Sequence, residues 1–353
     1  MAAPRSCLRG ARCGGFGVVE LMVAMTLSLL LLGGVITLFA NSRKSYESND
    51  HLARIQENGR FALDQIAREL RSAGYLGCAK ETPFTNTLTL TTNKMLWDFQ
   101  FAVQGFQSTG TTWSPALDAT LVPSAAAVNS DVLVIRAPDP EARAKRMTTL
   151  MATPTADIVV TPATPAYIPF EYPLLVTDCN AVAVFDVTAY SAGTITHASP
   201  GQGAAATGGV ASAGNSAANI GYAFQAGSLV MPVRTVIYYV RASATAGAGN
   251  SLWRRLGRGP PDEVVEGVDS LQVLYGVDTD ANRIVDSYEP ANNVTDWSAI
   301  VSVRIGLLVR SVEQYGKNPD TAHTVLDETI AAAGDNRERL DFSTTVALRN
   351  EAL

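Results

Sequence analysis

Histidine and catalytic motifs are scarce in this 353-residue chain, which contains only three histidines. His51, His197 and His323 do not stand beside a nucleophile in the sequence, and neither a GxSxG nor an HExxH motif is present. These absences argue against hydrolase chemistry. We expect the chain not to be an enzyme and to require no cofactor.

Clustered positive charge and cysteine are also scarce. The net charge is −6, and binding along nucleic acid needs clustered cations, so we expect no nucleic-acid partner. The chain has four cysteines and no CxxC spacing, which argues against a structural zinc site. Cys7 and Cys13 lie in the N-terminal segment that we expect to be removed as a leader. The remaining chain would keep Cys78 and Cys179, an even pair suited to one disulfide in an oxidising compartment.

A long uncharged stretch near the N-terminus predicts a membrane anchor. Residues 21–40 contain no charged side chain, and Glu20 is the only charge between Phe16 and Ala40. As a helix, twenty residues span about 30 Å, the thickness of a hydrocarbon core. The preceding segment carries Arg5, Arg9 and Arg12 and no acid, which favours a cytoplasmic N-terminus and a periplasmic chain after Asn41.

Two ordinary explanations of this stretch leave features unexplained. A secretory signal peptide has a shorter apolar run and ends in small residues, whereas this run ends in Leu38, Phe39 and Ala40. A plain signal anchor gives no reason for Glu20, because a carboxylate inside the bilayer costs about 2.5 to 3.5 kcal/mol on insertion scales.

The residues around Glu20 resemble a type III prepilin signal. The run from Gly14 to Met22, GGFGVVELM, has the terminal glycine, the aromatic residue and the spaced glutamate of that signal. The resemblance implies that a prepilin peptidase removes residues 1–15 by cutting after Gly15 and then methylates the new amine of Phe16. It also implies that Glu20 pairs with the N-terminal amine of a neighbouring subunit. Gly17, Val18 and Val19 depart mildly from the usual residues.

The next segment predicts that the helix continues outside the membrane. In residues 41–74, apolar side chains recur at helical spacing along one face, while most charged side chains fall on the others. The apolar residues are Leu52, Ile55, Ala62, Leu63, Ile66 and Leu70. Gly74 supplies a stop signal. Gly33 with Gly34, and Asn58 with Gly59, are points where the helix could bend.

Residues 75–353 have the texture of a β-rich globular domain. We predict strands over residues 131–136, 181–187 and 301–310, and an alternating strand over 342–349. Residues 235–241 and 251–256 predict a hairpin around the loop 242–250. The Gly/Ala/Ser-rich residues 199–219 predict a mobile surface loop. The predicted fold is therefore α+β, a long helix packed on an enlarged antiparallel sheet.

Scattered C-terminal features resemble PilW-type minor pilins. They are the run Tyr75 to Cys78, the run Tyr275 to Asp280, Trp297 before the strand at 301, and the ending Leu348-Arg349-Asn350. The resemblance implies a pilin-like fold and a structural role in a tip or initiation complex that primes pilus assembly. Partners would be the inner membrane, other minor pilins and the major pilin. J-type pseudopilins of type II secretion are similar in plan, and a membrane-anchored adhesin that does not polymerise is an alternative of another class.

An acidic run in the C-terminal region has the spacing of a calcium loop. Asp278, Asp280, Asn282, Asp286 and Glu289 occupy offsets 1, 3, 5, 9 and 12 of an EF-hand-type loop, and Ile284 offers a backbone carbonyl at offset 7. Arg283 stands where a glycine normally permits the sharp turn, and no helices flank the loop. A possible Ca²⁺ site and a metal-free acidic turn both remain open.

Overall fold

The computed structural model describes residues 17–78, 83–118, 120–123, 126–127, 129–161, 172–198, 210–314 and 320–350. It divides into two compact units, one ending at Leu52 and the other beginning at Ala53. A single helix, α1 (Val18–Ser72), contributes its first part to one unit and its last part to the other. The two units are described separately below.

The second unit consists mainly of antiparallel strands. A short helix, α2, spans Lys94–Trp97, and a 3₁₀ helix spans Trp297–Ala299. The strands are β1 (Phe84–Asn86), β2 (Val103–Ser108), β3 (Trp113–Ser114), β4 (Val132–Pro138), β5 (Lys145–Met147), β6 (Ile158–Thr161), β7 (Leu174–Thr177), β8 (Val182–Phe185), β9 (Ala189–Ser191), β10 (Thr194–Thr196), β11 (Leu229–Ala242), β12 (Asn250–Leu256), β13 (Pro261–Glu266), β14 (Val268–Val277), β15 (Ser287–Pro290), β16 (Ile300–Arg310), β17 (His323–Val325), β18 (Glu328–Ile330) and β19 (Arg339–Ala347). The predicted α+β architecture is confirmed.

The first part of α1 is an apolar helix with exposed side chains. It is long and apolar enough to cross a membrane, and none of its most apolar stretch is buried within the protein. Gly33 and Gly34 do not interrupt it, and the Thr37 hydroxyl donates to the Gly33 carbonyl oxygen at 2.7 Å. An apolar surface of this kind is stable only when lipid or other apolar helices cover it.

The last part of α1 packs on the β domain through the predicted face. Ile55, Ala62, Ile66 and Leu70 are buried in a core shared with β14, β16 and β19. Gly59 does not bend the helix. A Cβ atom at Gly59 would lie 2.6 Å from the Phe342 ring, so glycine is needed here for close approach of helix and sheet.

The sheet beneath α1 has the strand order β15-β14-β16-β19 and is antiparallel throughout. The predicted alternation in β16 is correct, because Val303, Ile305, Leu307 and Val309 all enter the helix-facing core. The last strand begins at Arg339, three residues before its predicted start at 342, and ends at Ala347. Its additional residues pair with the C-terminal end of β16, where Arg310 opposes Arg339.

The larger sheet is organised by the fourteen-residue strand β11. Its first residues pair with β5 and β7, and its remainder pairs with β4 and β12. The predicted hairpin is confirmed, since β11 and β12 pair in register with Tyr239 opposite Trp253. The strands predicted at 131–136 and 181–187 correspond to β4 and β8.

Two further apolar cores lie beyond the one under α1. One includes Leu96, Trp97 and Val134, and the other includes Ile158, Phe185 and Phe224. Residues 199–209 of the predicted mobile loop lie outside the described residues. Within 210–219, the Asn215 side chain is buried and bonds to the backbone of Asp186, so this end of the loop is held in place.

A buried ion cluster links the helix to the larger sheet. Arg234 of β11 lies 3.1 Å from a Glu69 carboxylate oxygen and 3.0 Å from one of Asp139, and all three side chains are less than a tenth exposed. Glu69 belongs to the buried side of α1, and Asp139 follows β4. The arginine therefore places one positive charge between two buried carboxylates.

Ser130 and Asp131 join the two sheets in a different way. The Ser130 hydroxyl accepts the Leu271 N–H at 2.9 Å, and the Asp131 carboxylate accepts the Val273 N–H at 3.0 Å, so these side chains close part of the β14 edge. The other Asp131 oxygen accepts the Ser108 N–H at the end of β2, at 2.8 Å. One carboxylate thus holds strands of both sheets.

The groups that act on the Asp131 carboxylate are two backbone N–H donors and two acids, with no cation among them in the described residues. Burial raises its pKa from 3.8 to about 7, although the hydrogen bonds from Ser108 and Val273 lower it. Repulsion from Asp327 and Glu328 raises it further. The charged form of Asp131 is therefore destabilised in the folded protein.

We predict that Arg234→Met lowers the free energy of unfolding by about 3 to 5 kcal/mol, because it leaves two buried carboxylates without a cation. Arg254→Met is the matched control, since Arg254 forms a more exposed pair with Asp262 at 2.7 Å. We expect that control to cost no more than about 1 kcal/mol. Urea unfolding of both variants in detergent measures the difference, and equal losses would contradict the role given to the cluster.

We predict that Asp131→Asn removes a pH dependence of stability. The Asp131 carboxyl group keeps its proton up to about pH 7 in the folded protein and only up to about pH 3.8 in the unfolded chain. Its contribution to the free energy of unfolding is therefore fully present below about pH 3.8 and is lost as the pH rises through about 7. Between about pH 3.8 and 7, the free energy of unfolding of the wild type should fall, relative to that of the variant, by up to about 1.4 kcal/mol per pH unit. Urea unfolding across the window measures it, and a pH-independent difference would refute it.

Candidate functional site

Glu20 lies in the first turn of α1. Its Oε2 atom accepts a hydrogen bond from the Gly17 N–H at 3.2 Å, and the side chain is exposed. The start of a helix favours a negative charge because its first N–H groups have no intrahelical partner. The predicted cleavage and methylation residues, Gly15 and Phe16, lie outside the described residues.

The surroundings of Glu20 within its unit are apolar. Leu21, Val23 and Met25 are more than half exposed, as are most of the large side chains up to Phe39. When lipid or another helix covers this surface, the carboxylate loses water and needs a cation for compensation. The first part of α1 can therefore present a single acceptor for a cationic group inside an apolar contact.

Cys78 and Cys179 form a disulfide in the structure, with their Cα atoms 5.0 Å apart. Cys78 follows the end of α1, and Cys179 lies in the turn between β7 and β8. The Thr177 hydroxyl donates to the Leu76 carbonyl oxygen at 2.9 Å beside it. The bond connects the helix end to a hairpin 101 residues later in the chain.

The acidic loop brings together three of the six residues predicted to bind calcium. Single carboxylate oxygens of Asp278, Asp280 and Asp286 all lie within 4.8 Å of one another. Hydrogen bonds from the Thr279 side chain and backbone lower the pKa of Asp286, so this carboxylate is readily ionised. Three converging carboxylates have the chemistry that a hard cation prefers.

The remaining predicted ligands are arranged differently. Glu289 is not in that acidic group but in β15, where it pairs with Tyr275. The Asn282 amide oxygen accepts the Ile284 N–H at 2.7 Å, and the Ile284 side chain is exposed. The bidentate carboxylate that normally closes such a loop is thus placed on the sheet.

The loop backbone shows how Arg283 is accommodated at the position where a calcium loop normally has glycine. Arg283 has a φ of +67°, the left-handed conformation that glycine adopts without steric cost. It is held there by a 2.6 Å hydrogen bond from its N–H to the Asp278 carboxylate. The sharp turn therefore forms despite the residue, and Asp278 already accepts backbone hydrogen bonds in the turn.

Arg234 and Asp131 are the polar residues that the sequence analysis missed. Arg234 lies inside the apolar run VMPVRTVIYYV, and Asp131 directly precedes the apolar run of β4, in SDVLVIR. A charge inside or next to such a run is a signal of a buried ion, because a strand buried on both faces offers its side chains no solvent. The partners of these charges are distant in sequence and carry no local signal.

Comparison with known proteins finds a family match for the C-terminal residues. Residues 237–350 match the family model PilW, the type IV pilus-assembly protein W. No curated protein matches the chain. Among solved structures, a type IV-like pilin from Thermus thermophilus is 11% identical, with a TM-score of 0.31, covering 87% of this chain and 100% of its own.

Whether the acidic loop binds Ca²⁺ stays a prediction with a direct test. If it does, millimolar calcium should raise the melting temperature of the detergent-solubilised protein, and a chelator should reverse the shift. Arg283→Gly should enlarge the shift because it removes both a nearby charge and the left-handed strain, whereas Arg283→Ala removes the charge alone. Asp280→Ala should diminish it. A wild-type melting curve that calcium leaves unmoved would identify a metal-free turn.

Proposed function

We propose that this chain, whose C-terminal residues are of the PilW type, is a minor type IV pilin: a structural subunit, not an enzyme. It acts in a complex that primes pilus assembly and remains at the pilus tip. The family match supports a pilin role. The observation that carries the proposal is the division of α1: residues 18–40 expose an apolar surface with a single acid, Glu20, and the last part of the helix buries one face in a β domain.

The proposed topology places the β domain in the periplasm. The apolar part of α1 fits an anchor in the inner membrane, and the arginines before it favour a cytoplasmic N-terminus. A disulfide between Cys78 and Cys179 is stable in an oxidising compartment, which supports the same orientation. After prepilin peptidase cuts at Gly15, the chain leaves the membrane for the pilus.

The proposed contact of α1 is with the helices of other minor pilins and the major pilin. In such a contact the Glu20 carboxylate accepts the N-terminal amine of a neighbour, and the surrounding apolar residues exclude water. Outside that contact, the acid makes the membrane-inserted state less favourable. Pairing with the amine therefore favours assembly and also fixes the axial position of this helix relative to its neighbour.

We predict that Glu20→Gln leaves membrane levels intact but strongly reduces piliation and twitching when it replaces the wild type in a deletion strain. The change keeps the size of the side chain and removes the charge. Glu47→Gln is the matched control: it also removes a carboxylate from α1, but one in an exposed pair with Arg43. Intact mass measurement checks that both proteins begin at methylated Phe16, and Gly15→Val should block that processing.

The same strains separate the alternatives. Normal piliation with Glu20→Gln would show that the pairing is dispensable in this chain. A secretion defect on deletion, with pili unchanged, would identify a J-type pseudopilin instead. Uncleaved protein that retains Met1 would favour a membrane-anchored adhesin.

A further inference from the structure

Strand β19 is an open edge of the sheet under α1. All nine of its residues pair with β16, and it ends the strand order on that side. The Leu348 N–H donates to the Val301 carbonyl and the Ser311 N–H to the Glu338 carbonyl, which fixes the alternation of the ladder. The even-numbered residues therefore bond to β16, and the odd-numbered residues direct their N–H and C=O groups to the free side.

The other edges of the described sheets are protected. β13 begins with Pro261 and carries three acids, and β15 has four residues and ends in Pro290. β1, β3 and β9 have at most three residues. Ser130 and Asp131 close the part of β14 that lacks a strand neighbour. Natural sheets protect their edges with such devices, and β19 has neither a proline nor a bulge among its nine residues.

The free side of β19 is accessible. Of the five odd-numbered residues, Arg339 is buried, and the other four are exposed: Asp341, Ser343, Thr345 and Ala347. Phe342 anchors the strand from its other face by packing against Gly59. The β17-β18 hairpin contacts the sheet above Gly306 through Val325 and Leu326 and leaves the four residues exposed. The edge is thus rigid, extended and uncovered by the described residues.

We propose that β19 receives an extended strand from another subunit of the assembled pilus complex, an inference that rests on the proposed function. The four outward N–H and four outward C=O groups fit a β-strand better than any other occupant, because a strand satisfies both at a regular spacing. Ser343, Thr345 and Ala347 suit small or β-branched neighbours. Asp341 suits a lysine or arginine on the added strand.

The charges favour a different chain over a second copy of this one. In antiparallel self-pairing about Ser343, Asp341 opposes Thr345, and in parallel self-pairing in register it lies beside its own copy. The cation of the strand, Arg339, is already paired with Asp269, Asp320 and Asp335. The exposed Arg349 lies beyond Ala347, the last residue of β19. Within its nine strand residues a second copy therefore offers the Asp341 carboxylate no unpaired cation, whereas a cationic strand of a partner does.

The test measures backbone amide exchange of the full-length chain, alone in detergent and in the complex purified with its co-expressed pilins. In the complex, the N–H groups of Asp341, Ser343, Thr345 and Ala347 should exchange at least about tenfold more slowly, as expected for newly formed strand hydrogen bonds. Those of β13 should not change. Unchanged exchange at the four residues in an intact complex would overturn the inference while leaving the pilin role in place.

Two variants test the mechanism of docking. Ser343→Pro removes an outward N–H without touching the bonds to β16, and Ser343→Ala is its control. We expect about a tenfold loss of co-purified pilins for the proline variant and none for alanine. Asp341→Arg, at an exposed position that cannot unfold the core, should also weaken the complex.

Retention of the complex by both Ser343→Pro and Asp341→Arg would contradict the proposal. Disulfide-linked homodimers of Ser343→Cys would identify a second copy as the occupant and overturn the assignment to another subunit. Loss of all pilin association, including in the wild type, would instead refute the proposed function.

Discussion

The packing of the last part of α1 on β14, β16 and β19 is the contact on which the rest of the structure depends. It buries the apolar stripe of the helix against the alternating side chains of β16. Gly59 permits the close approach, because any Cβ there would meet the Phe342 ring.

Buried charges connect this contact to the larger sheet. Arg234 lies between an acid of α1 and an acid after β4, and Asp131 bonds to the backbones of β2 and β14. Such groups add little net stability compared with apolar side chains, but they strongly disfavour arrangements in which a partner is missing. They therefore specify how the enlarged part of the domain is joined to the helix and its four-stranded sheet.

The proposed assembly role uses surfaces that are free of these internal constraints. The apolar turns around Glu20 offer non-directional burial and one directional pairing, while the β19 edge offers directional backbone bonds with little apolar area. The first suits entry into a helical bundle, and the second suits recognition of a particular neighbour. Both kinds of contact remain available in the described parts of the chain.

The sequence by itself determined the apolar first part of α1, the position of Glu20, the buried face from Ile55 to Leu70, the β11-β12 hairpin and the alternation of β16. Each is encoded by the spacing of residues along a few consecutive helical turns or strand positions, so it can be predicted from a short stretch of sequence. Only the tertiary structure decided that Glu69 and Asp131 are buried, that Gly59 serves a close contact, and that Glu289 lies on a strand apart from Asp278, Asp280 and Asp286. It also decided which edge stays open. These features depend on which distant segments meet, and spacing along one segment does not encode the charge, size or hydrogen-bonding groups of the segment packed against it.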